Sequence, residues 1–553
     1  MYSFWLFLVL PFVAAAPTAS TVSTVTIQSI ITTVCDIPIL KEFHVIQTFC
    51  TKQLSVPSIS VSNPVGFNTT GGVVRYSVKY ATAARWGAPA ISTVWTPSIA
   101  SNPTSLPLAC PQTGLDISQV SEDCLDVVLY VPPTAKTTSG GVPTIAWIHG
   151  GSFLTGSASD PALDGSNLAI ATNSIVAIVQ YRLGTLGLLP PSSTSTNDNL
   201  AIQDLITALT FLHGVLPYFG GTAGTPQLTL AGQSSGANLI RGLLGTPTAL
   251  PLFNNAWLHS DPLDYGFLTP GALSTLRGAW VSELNCVSAS GCAQTMDLND
   301  LLNHQNNLVG NATGLGPEFY MAQPIRPSPD STFLTSRFTS SSSFPSSSSL
   351  KPIVVTTVKD EAMPTINFFF DSPADPSNFI PFISLTLGPV RTATVASSSF
   401  YPVNDTDART TLNVLGTDEI WRCSAYKLVR DWATHTSSSI QYSAVITQGI
   451  TFPDNEAFPE CLVPGTVCHE DDIQVVFGTG STTSPLTPEL QARYKAFVRT
   501  SNPNASGFKN WPAASSSDPK TINLGGTAAI DIGGCVPSFW GQQVEFDYQV
   551  NNE

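Results

Sequence analysis

Leu228-Thr229-Leu230-Ala231-Gly232-Gln233-Ser234-Ser235-Gly236-Ala237-Asn238-Leu239-Ile240 is the stretch whose reading decides the fold. Its first four residues form a short apolar run that predicts a strand, and 237–240 can continue as a helix. Between them lies G-x-S-x-G. A serine at the tip of a strained strand-to-helix turn needs neighbours without side chains, because a Cβ there would clash. The pentapeptide alone reads as an ordinary Gly-Ser turn. Flanked by strand and helix, it marks Ser234 as a presented nucleophile.

The surrounding chain alternates in the same way. Residues 125–131 and 145–148 read as strands, the first ending at Pro132-Pro133 and the second at Gly150-Gly151. Residues 175–179 read as a third. Ile202, Leu205, Ile206, Leu209 and Leu212 recur at helical spacing and stop at His213-Gly214. Ile353-Val354-Val355 is another buried strand. Thr487-Pro488-Glu489 offers a capping residue and a proline that start a late helix through Tyr494 and Phe497. Strands alternating with helices predict an α/β fold, with a central, mostly parallel sheet covered by helices on both faces. Residues 340–349 are serine-rich and read as a surface loop.

Only 11% of the 553 residues are charged, and the formal net charge is −15. No Lys/Arg cluster appears, so no nucleic acid and no anionic membrane surface is expected as a partner. Residues 4–16 form an apolar run ending in Val13-Ala14-Ala15-Ala16-Pro17, which reads as a signal peptide over 1–16. No other stretch reads as a transmembrane segment. The 10 cysteines fit an oxidising compartment. N-x-S/T triplets stand at Asn68, Asn311, Asn404 and Asn504. The expectation is a secreted glycoprotein, with a Ser/Thr-rich extension over 17–65 carrying Cys35 and Cys50, then one large domain over 66–545.

A serine needs a base to take its proton, and the base needs a carboxylate to fix its tautomer. Of the 7 histidines, His469 stands out on a loop held by neighbouring cysteines, Cys461 and Cys468. Asp360-Glu361 places two carboxylates just past the strand around 353–355, and sites of open α/β sheets form at such strand ends. The order serine, acid, histidine then follows as Ser234, Glu361, His469. The loop His149-Gly150-Gly151-Ser152-Phe153 offers backbone N–H donors for an oxyanion, with a further donor at Ser235. No cofactor and no metal is expected.

Together these residues resemble the type B carboxylesterase family, the relatives of cholinesterases and fungal lipases, over about residues 70–540. Tyr80-Ala81 with Arg85-Trp86 and Pro89 is similar to its N-terminal block, and Ser121-Glu122-Asp123-Cys124-Leu125 to its Ser-Glu-Asp-Cys-Leu signature. Trp147 through Phe153 is similar to its oxyanion loop. Tyr181-Arg182-Leu183-Gly184 with Gly187, and Phe219-Gly220-Gly221, resemble blocks before the elbow. Asn502-Pro503-Asn504, Trp511-Pro512 and Phe539-Trp540 resemble the C-terminal ones. The resemblance implies an α/β-hydrolase fold and a secreted, fungal-type serine carboxylesterase that works through an acyl-enzyme. It assigns Ser234, Glu361 (over Asp360) and His469 as catalytic, and Gly151, Ser152 and Ser235 as oxyanion donors. The family elbow usually reads Gly-Glu-Ser-Ala-Gly, so Gln233 and Ser235 depart from it, as does Ala362 after Glu361.

Family analogy pairs Cys110 with Cys124, Cys286 with Cys292 and Cys423 with Cys535; proximity then pairs Cys461 with Cys468, and Cys35–Cys50 remains. In the family's lipases the loop corresponding to 110–124 is a long lid, and in cholinesterases it carries a tryptophan. Here it is short and holds no aromatic residue. A carboxylesterase acting on a small-molecule or lipid ester is favoured, with a triacylglycerol-type lipase or a non-catalytic cholinesterase-like binding protein as the alternatives.

Overall fold

The computed structural model describes residues 56–551, apart from 193–197, 223–226, 287–288, 321, 331–332, 336, 339–343, 404, 437, 439 and 481–483. The apolar run 4–16 read as a signal peptide, Cys35, Cys50, Asn404 and part of the serine-rich stretch lie outside the described residues.

The apolar runs become strands: β1 (Phe67–Asn68), β2 (Val74–Lys79), β3 (Ala81–Thr82), β4 (Ala90–Ile91), β5 (Asp126–Val131), β6 (Thr144–Ile148), β7 (Ile175–Val179), β8 (Leu228–Gln233), β9 (Asn255–His259), β10 (Ile353–Val358), β11 (Gln441–Ile446) and β12 (Ile522–Leu524). Among the described residues, 10 strands make one sheet in the order β1-β2-β5-β7-β6-β8-β9-β10-β11-β12, while β3 and β4 pair separately. From β7 to β12 every neighbouring pair is parallel; β1, β2 and β5 run antiparallel. Every residue of β5 through β11 is buried, as strands covered on both faces must be. Because β7 lies on one side of β6 and β8 on the other, the strand order reverses at β6. That opens a crevice at the carboxyl ends of these strands, where α/β sheets place their sites.

One face packs Trp147, Trp257, Tyr494, Trp511 and Phe477 into a common core. Trp257 and Tyr494 stack with ring centroids 4.2 Å apart. Removing a ring of this size from a core costs about 3–5 kcal/mol. The helix Leu200–Val215 buries Ile202, Leu205, Leu209 and Leu212, the positions whose spacing predicts it. It runs past the expected stop, and Gly214 has a packing reason instead: a Cβ there would lie 2.6 Å from Ile59 Cδ1. The late helix is Thr487–Thr500, with Leu486 as its N-cap and no side-chain cap. Leu486 is already in helical conformation, which moves the cap one residue upstream of Thr487.

Cys110–Cys124, Cys286–Cys292, Cys423–Cys535 and Cys461–Cys468 are disulfides, as expected. Asn68 and Asn311 are exposed. Asn504 is half-buried, and its carboxamide clamps Trp511, accepting from Trp511 N at 2.7 Å and donating to Trp511 O at 2.8 Å. Contrary to the sequence reading, two described helical stretches reach membrane-spanning length and hydropathy. Leu200–Phe219 is largely buried core; Pro376–Ala396 lies mostly outside it and is broken at Gly388 (φ 68°).

Candidate active site

Ser234 sits between β8 and the helix Ser235–Leu244, with φ 55° and ψ −127°, a conformation that a non-glycine residue adopts only when its surroundings enforce it. The enforcement is visible. Ser234 N donates to His259 O at 2.9 Å, and Ser234 O accepts from Asn238 N at 3.0 Å. The end of β6 presses against the turn: a Cβ on Gly232 would lie 2.6 Å from Ile148 O, and one on Gly236 2.2 Å from the same atom. Both glycines of the motif are therefore required by close backbone approach, as the sequence predicts.

Glu361 stands just after β10 and is 1% exposed. Its Oε1 accepts from Val358 N at 2.8 Å, and its Oε2 accepts from His469 Nδ1 at 2.6 Å. Burial alone would lower the His469 pKa. The hydrogen bond to Glu361 and its charge, with the charges of Glu470 and Asp472, outweigh burial and raise it above histidine's ordinary value. With Nδ1 donating to Glu361, Nε2 is left as an acceptor. The side-chain amide of Gln233 fills that role, donating to His469 Nε2 at 3.1 Å. Among the described residues, no hydrogen bond joins Ser234 Oγ to His469. The structure thus pairs Glu361 with His469 directly, and reaches His469 from the elbow through Gln233.

Asp360 has a different task. Its Oδ1 accepts from Asn413 Nδ2 at 2.9 Å and its Oδ2 from Val467 N at 3.0 Å, tying the β10 end to the loop that carries His469. Asp471 holds the same loop, accepting from Phe452 N at 2.8 Å and Cys468 N at 2.7 Å. Asn455 Nδ2 donates to His469 O at 2.6 Å. Asp471 and Asn455 carry no local sequence signal, because their partners are fixed only by tertiary folding.

Gly151, Ser152 and Phe153 have φ of 105°, 55° and 60°. Among the described residues, no hydrogen bond outside the helices and strands engages the N–H of Gly151 or Ser152. Ser235 opens a helix, so its N–H has no helical partner either. The 110–124 loop is locked to this one: Gln112 Nε2 donates to Gly156 O at 2.8 Å while its Oε1 accepts from Gly156 N at 2.9 Å. Gln180 Nε2 donates to Leu108 O and to Cys124 O, each at 2.8 Å.

A second histidine–carboxylate pair lies beneath the elbow. His259 contacts Asp472 Oδ2 through Nδ1 and Tyr494 OH through Nε2, both at 2.6 Å. It is fully buried and both ring nitrogens are engaged, so it braces the backbone that holds Ser234 and has no lone pair to offer a substrate. Two groups bring three possible metal ligands together among the described residues. In one, Cys423 and Cys535 are consumed by their disulfide. In the other, Asp264, Glu419 and Asp547, the charge of Asp547 is met by Arg391 at 2.5 Å.

A central mostly parallel sheet with a serine elbow at the end of its middle strand defines an α/β-hydrolase. A solved para-nitrobenzyl esterase structure shares this fold, with a TM-score of 0.67 at 24% identity over 84% of this chain and 96% of that one. The model of the carboxylesterase family matches residues 69–533, and the chain belongs to that family. It is 35% identical to a probable N-octanoylanthranilate hydrolase of Rhodococcus erythropolis, over 38% of this chain and 47% of that protein. It is also 35% identical to the para-nitrobenzyl esterase of Bacillus subtilis strain 168, over 32% of this chain and 36% of that protein. The chain thus spans under half the length of either curated relative.

Proposed function

We propose that this protein is a secreted serine carboxylesterase that hydrolyses carboxylic esters through an acyl-enzyme. The observation that carries the reading is the Glu361–His469 hydrogen bond of 2.6 Å at the same sheet end as the strained Ser234. His469 takes the proton of Ser234 as Oγ attacks the ester carbonyl. The N–H groups of Gly151, Ser152 and Ser235 hold the oxyanion. His469 then protonates the leaving alcohol, and by the same route activates the water that releases the acid. Glu361 fixes the tautomer and stabilises the imidazolium. Gln233 caps the lone pair that must receive the proton, and yields it to Ser234 Oγ when substrate enters; catalytic hydrogen bonds commonly tighten only in the substrate complex. The apolar leader and the disulfides support an extracellular location.

The clamped 110–124 loop favours a water-soluble ester over an interfacial lipase, since a loop held by Gln112 and Gln180 is a poor mobile lid. Hydrolysis of p-nitrophenyl esters from acetate to palmitate tests this: short chains are expected to be preferred. A long-chain preference that rises at an oil–water interface would assign the protein to the lipases.

Since His469 must be neutral to act as base and its pKa is raised, kcat/KM is expected to fall as pH drops through a value above histidine's ordinary one. In Gln233→Glu a carboxylate replaces the amide donor at Nε2 and favours the imidazolium. The acid limb of the kcat/KM profile is expected to move to higher pH. An unmoved limb would remove Gln233 from the description of the base.

A further inference from the structure

The helices Met363–Phe369 and Phe379–Ala396 follow the strand end that carries Glu361. A surface helix ordinarily turns its charges to water and its apolar stripe inward. Phe379–Ala396 does bury such a stripe, through Phe379, Ile383, Leu387 and Val395. Its opposite side also exposes apolar residues: Ile380, Leu385, Pro389, Val390 and Ala393. Phe368 and Phe369 extend that side from the first helix. The Phe369 ring lies 5.3 Å from that of Phe368 and 5.4 Å from that of Phe382, which joins the two helices into one face.

Charge is missing from this face. Over residues 362–396 the charged positions are Asp371, Asp375 and Arg391 alone. Arg391 is taken up by Asp547, at 2.5 Å, and by Glu545 O, at 3.1 Å. Both aspartates sit in the connection between the helices, where Asp375 accepts from Ser377 N at 2.8 Å. A helix apolar all round belongs in a core or against lipid, and this one lies mostly outside the core. It does not cross a membrane. One side is committed to the protein, and the break at Gly388 (φ 68°) leaves pieces well short of the roughly 20 residues of a span.

Shape and charge together select the occupant. Phe368 is 75% exposed and Val390 79%, so both stand out from the surface. A protein partner would need a fitted hole for each, whereas acyl chains close around any shape. The formal net charge of −15 sets this chain against a second copy of itself and against an anionic membrane, and leaves an uncharged lipid surface unopposed. We propose that this face docks on a zwitterionic lipid surface, with Phe368, Leu385 and Val390 inserted among the acyl chains, as interfacial helices do. The same helices wall a small apolar cavity with Trp421, whose ring lies 5.3 Å from that of His469, so docking sets the base side of the site against the lipid. Adsorption is separate from ester hydrolysis, and the clamped 110–124 loop offers no lid for it to open.

The test is flotation of the full-length protein with vesicles of phosphatidylcholine, and with vesicles in which phosphatidylserine replaces half of the lipid. The wild type is expected to float with phosphatidylcholine, to float less with the anionic vesicles, and to keep its phosphatidylcholine binding as salt is raised, since no ion pair is involved. Phe368→Ser/Val390→Ser should lower the partition coefficient by about 100-fold. Both side chains are exposed, so the melting temperature and the turnover of p-nitrophenyl acetate should match the wild type. A wild type that stays with the buffer, flotation that survives in the double variant, or stronger binding to the anionic vesicles overturns the proposal. Concentration-dependent self-association that the double variant abolishes, with no flotation, also overturns it and gives the face to a second copy. Flotation by a protein that hydrolyses no ester would leave the docking face standing and remove only the esterase reading.

Discussion

Ser234→Ala is expected to lower kcat/KM for every ester by about 10⁶-fold, leaving only the residual rate that oriented binding and the oxyanion donors supply. The size of the effect follows from the division of labour in the site. Glu361 and His469 remain hydrogen bonded without Ser234, and Gln233 still caps His469 Nε2, so the base survives intact with nothing to activate except water. Water in that position lacks the enforced geometry of the elbow, where φ 55° and two backbone hydrogen bonds fix the nucleophile. Alanine loses only the hydroxyl, and the bonds of residue 234 to His259 O and Asn238 N are main-chain. The melting temperature should therefore stay close to that of the wild type. A phosphonate probe should label the wild type once and the variant not at all. A variant that keeps wild-type turnover would move the nucleophile elsewhere, and a folded wild type inert to every ester and to the probe would favour a non-catalytic surface role.

The elbow was legible in the sequence because its requirements are local. Gly232 and Gly236 are needed by backbone approach within a strand-turn-helix unit, and the inner strands announce themselves as continuous apolar runs. Glu361 was legible for a related reason, as a carboxylate at a strand end. Gln233, by contrast, could be recognised only as a departure, because its partner His469 lies 236 residues away and the contact exists only after β8 and β11 take their places. His259 carried no distinguishing context for the same reason: Asp472 and Tyr494 lie 213 and 235 residues from it. The helix Leu200–Val215 overran its expected stop because Gly214, a breaker in local terms, is the residue that admits Ile59. Local rules thus pointed to the candidate groups, the family resemblance chose Glu361 over Asp360, and tertiary packing supplies the groups that hold them.

Glu361→Gln should cost about 10⁴-fold in kcat. Both oxygens of Glu361 are acceptors in the structure, one for Val358 N–H and one for His469 Nδ1–H. A carboxamide has one acceptor and one donor, so it cannot satisfy both. If its NH₂ group faces Val358, two donors meet in a buried place, at a cost of about 1–3 kcal/mol in stability. If it faces His469, the imidazole must shift its proton to Nε2, which then can neither take the serine proton nor accept from Gln233. A pH profile separates this positioning role from simple damage. The Glu361 charge is one of the causes that raise the His469 pKa, so its removal lets burial dominate and lowers that pKa. The activity that remains should accordingly persist to lower pH than in the wild type. Asp360→Asn is the matched control, because the Asp360 carboxylate holds Asn413, Val467 and Lys359 and makes no hydrogen bond to His469. It should loosen the His469 loop without moving the acid limb in that direction. An acid limb unchanged in Glu361→Gln, or shifted equally in Asp360→Asn, would deny Glu361 its distinct place beside the base.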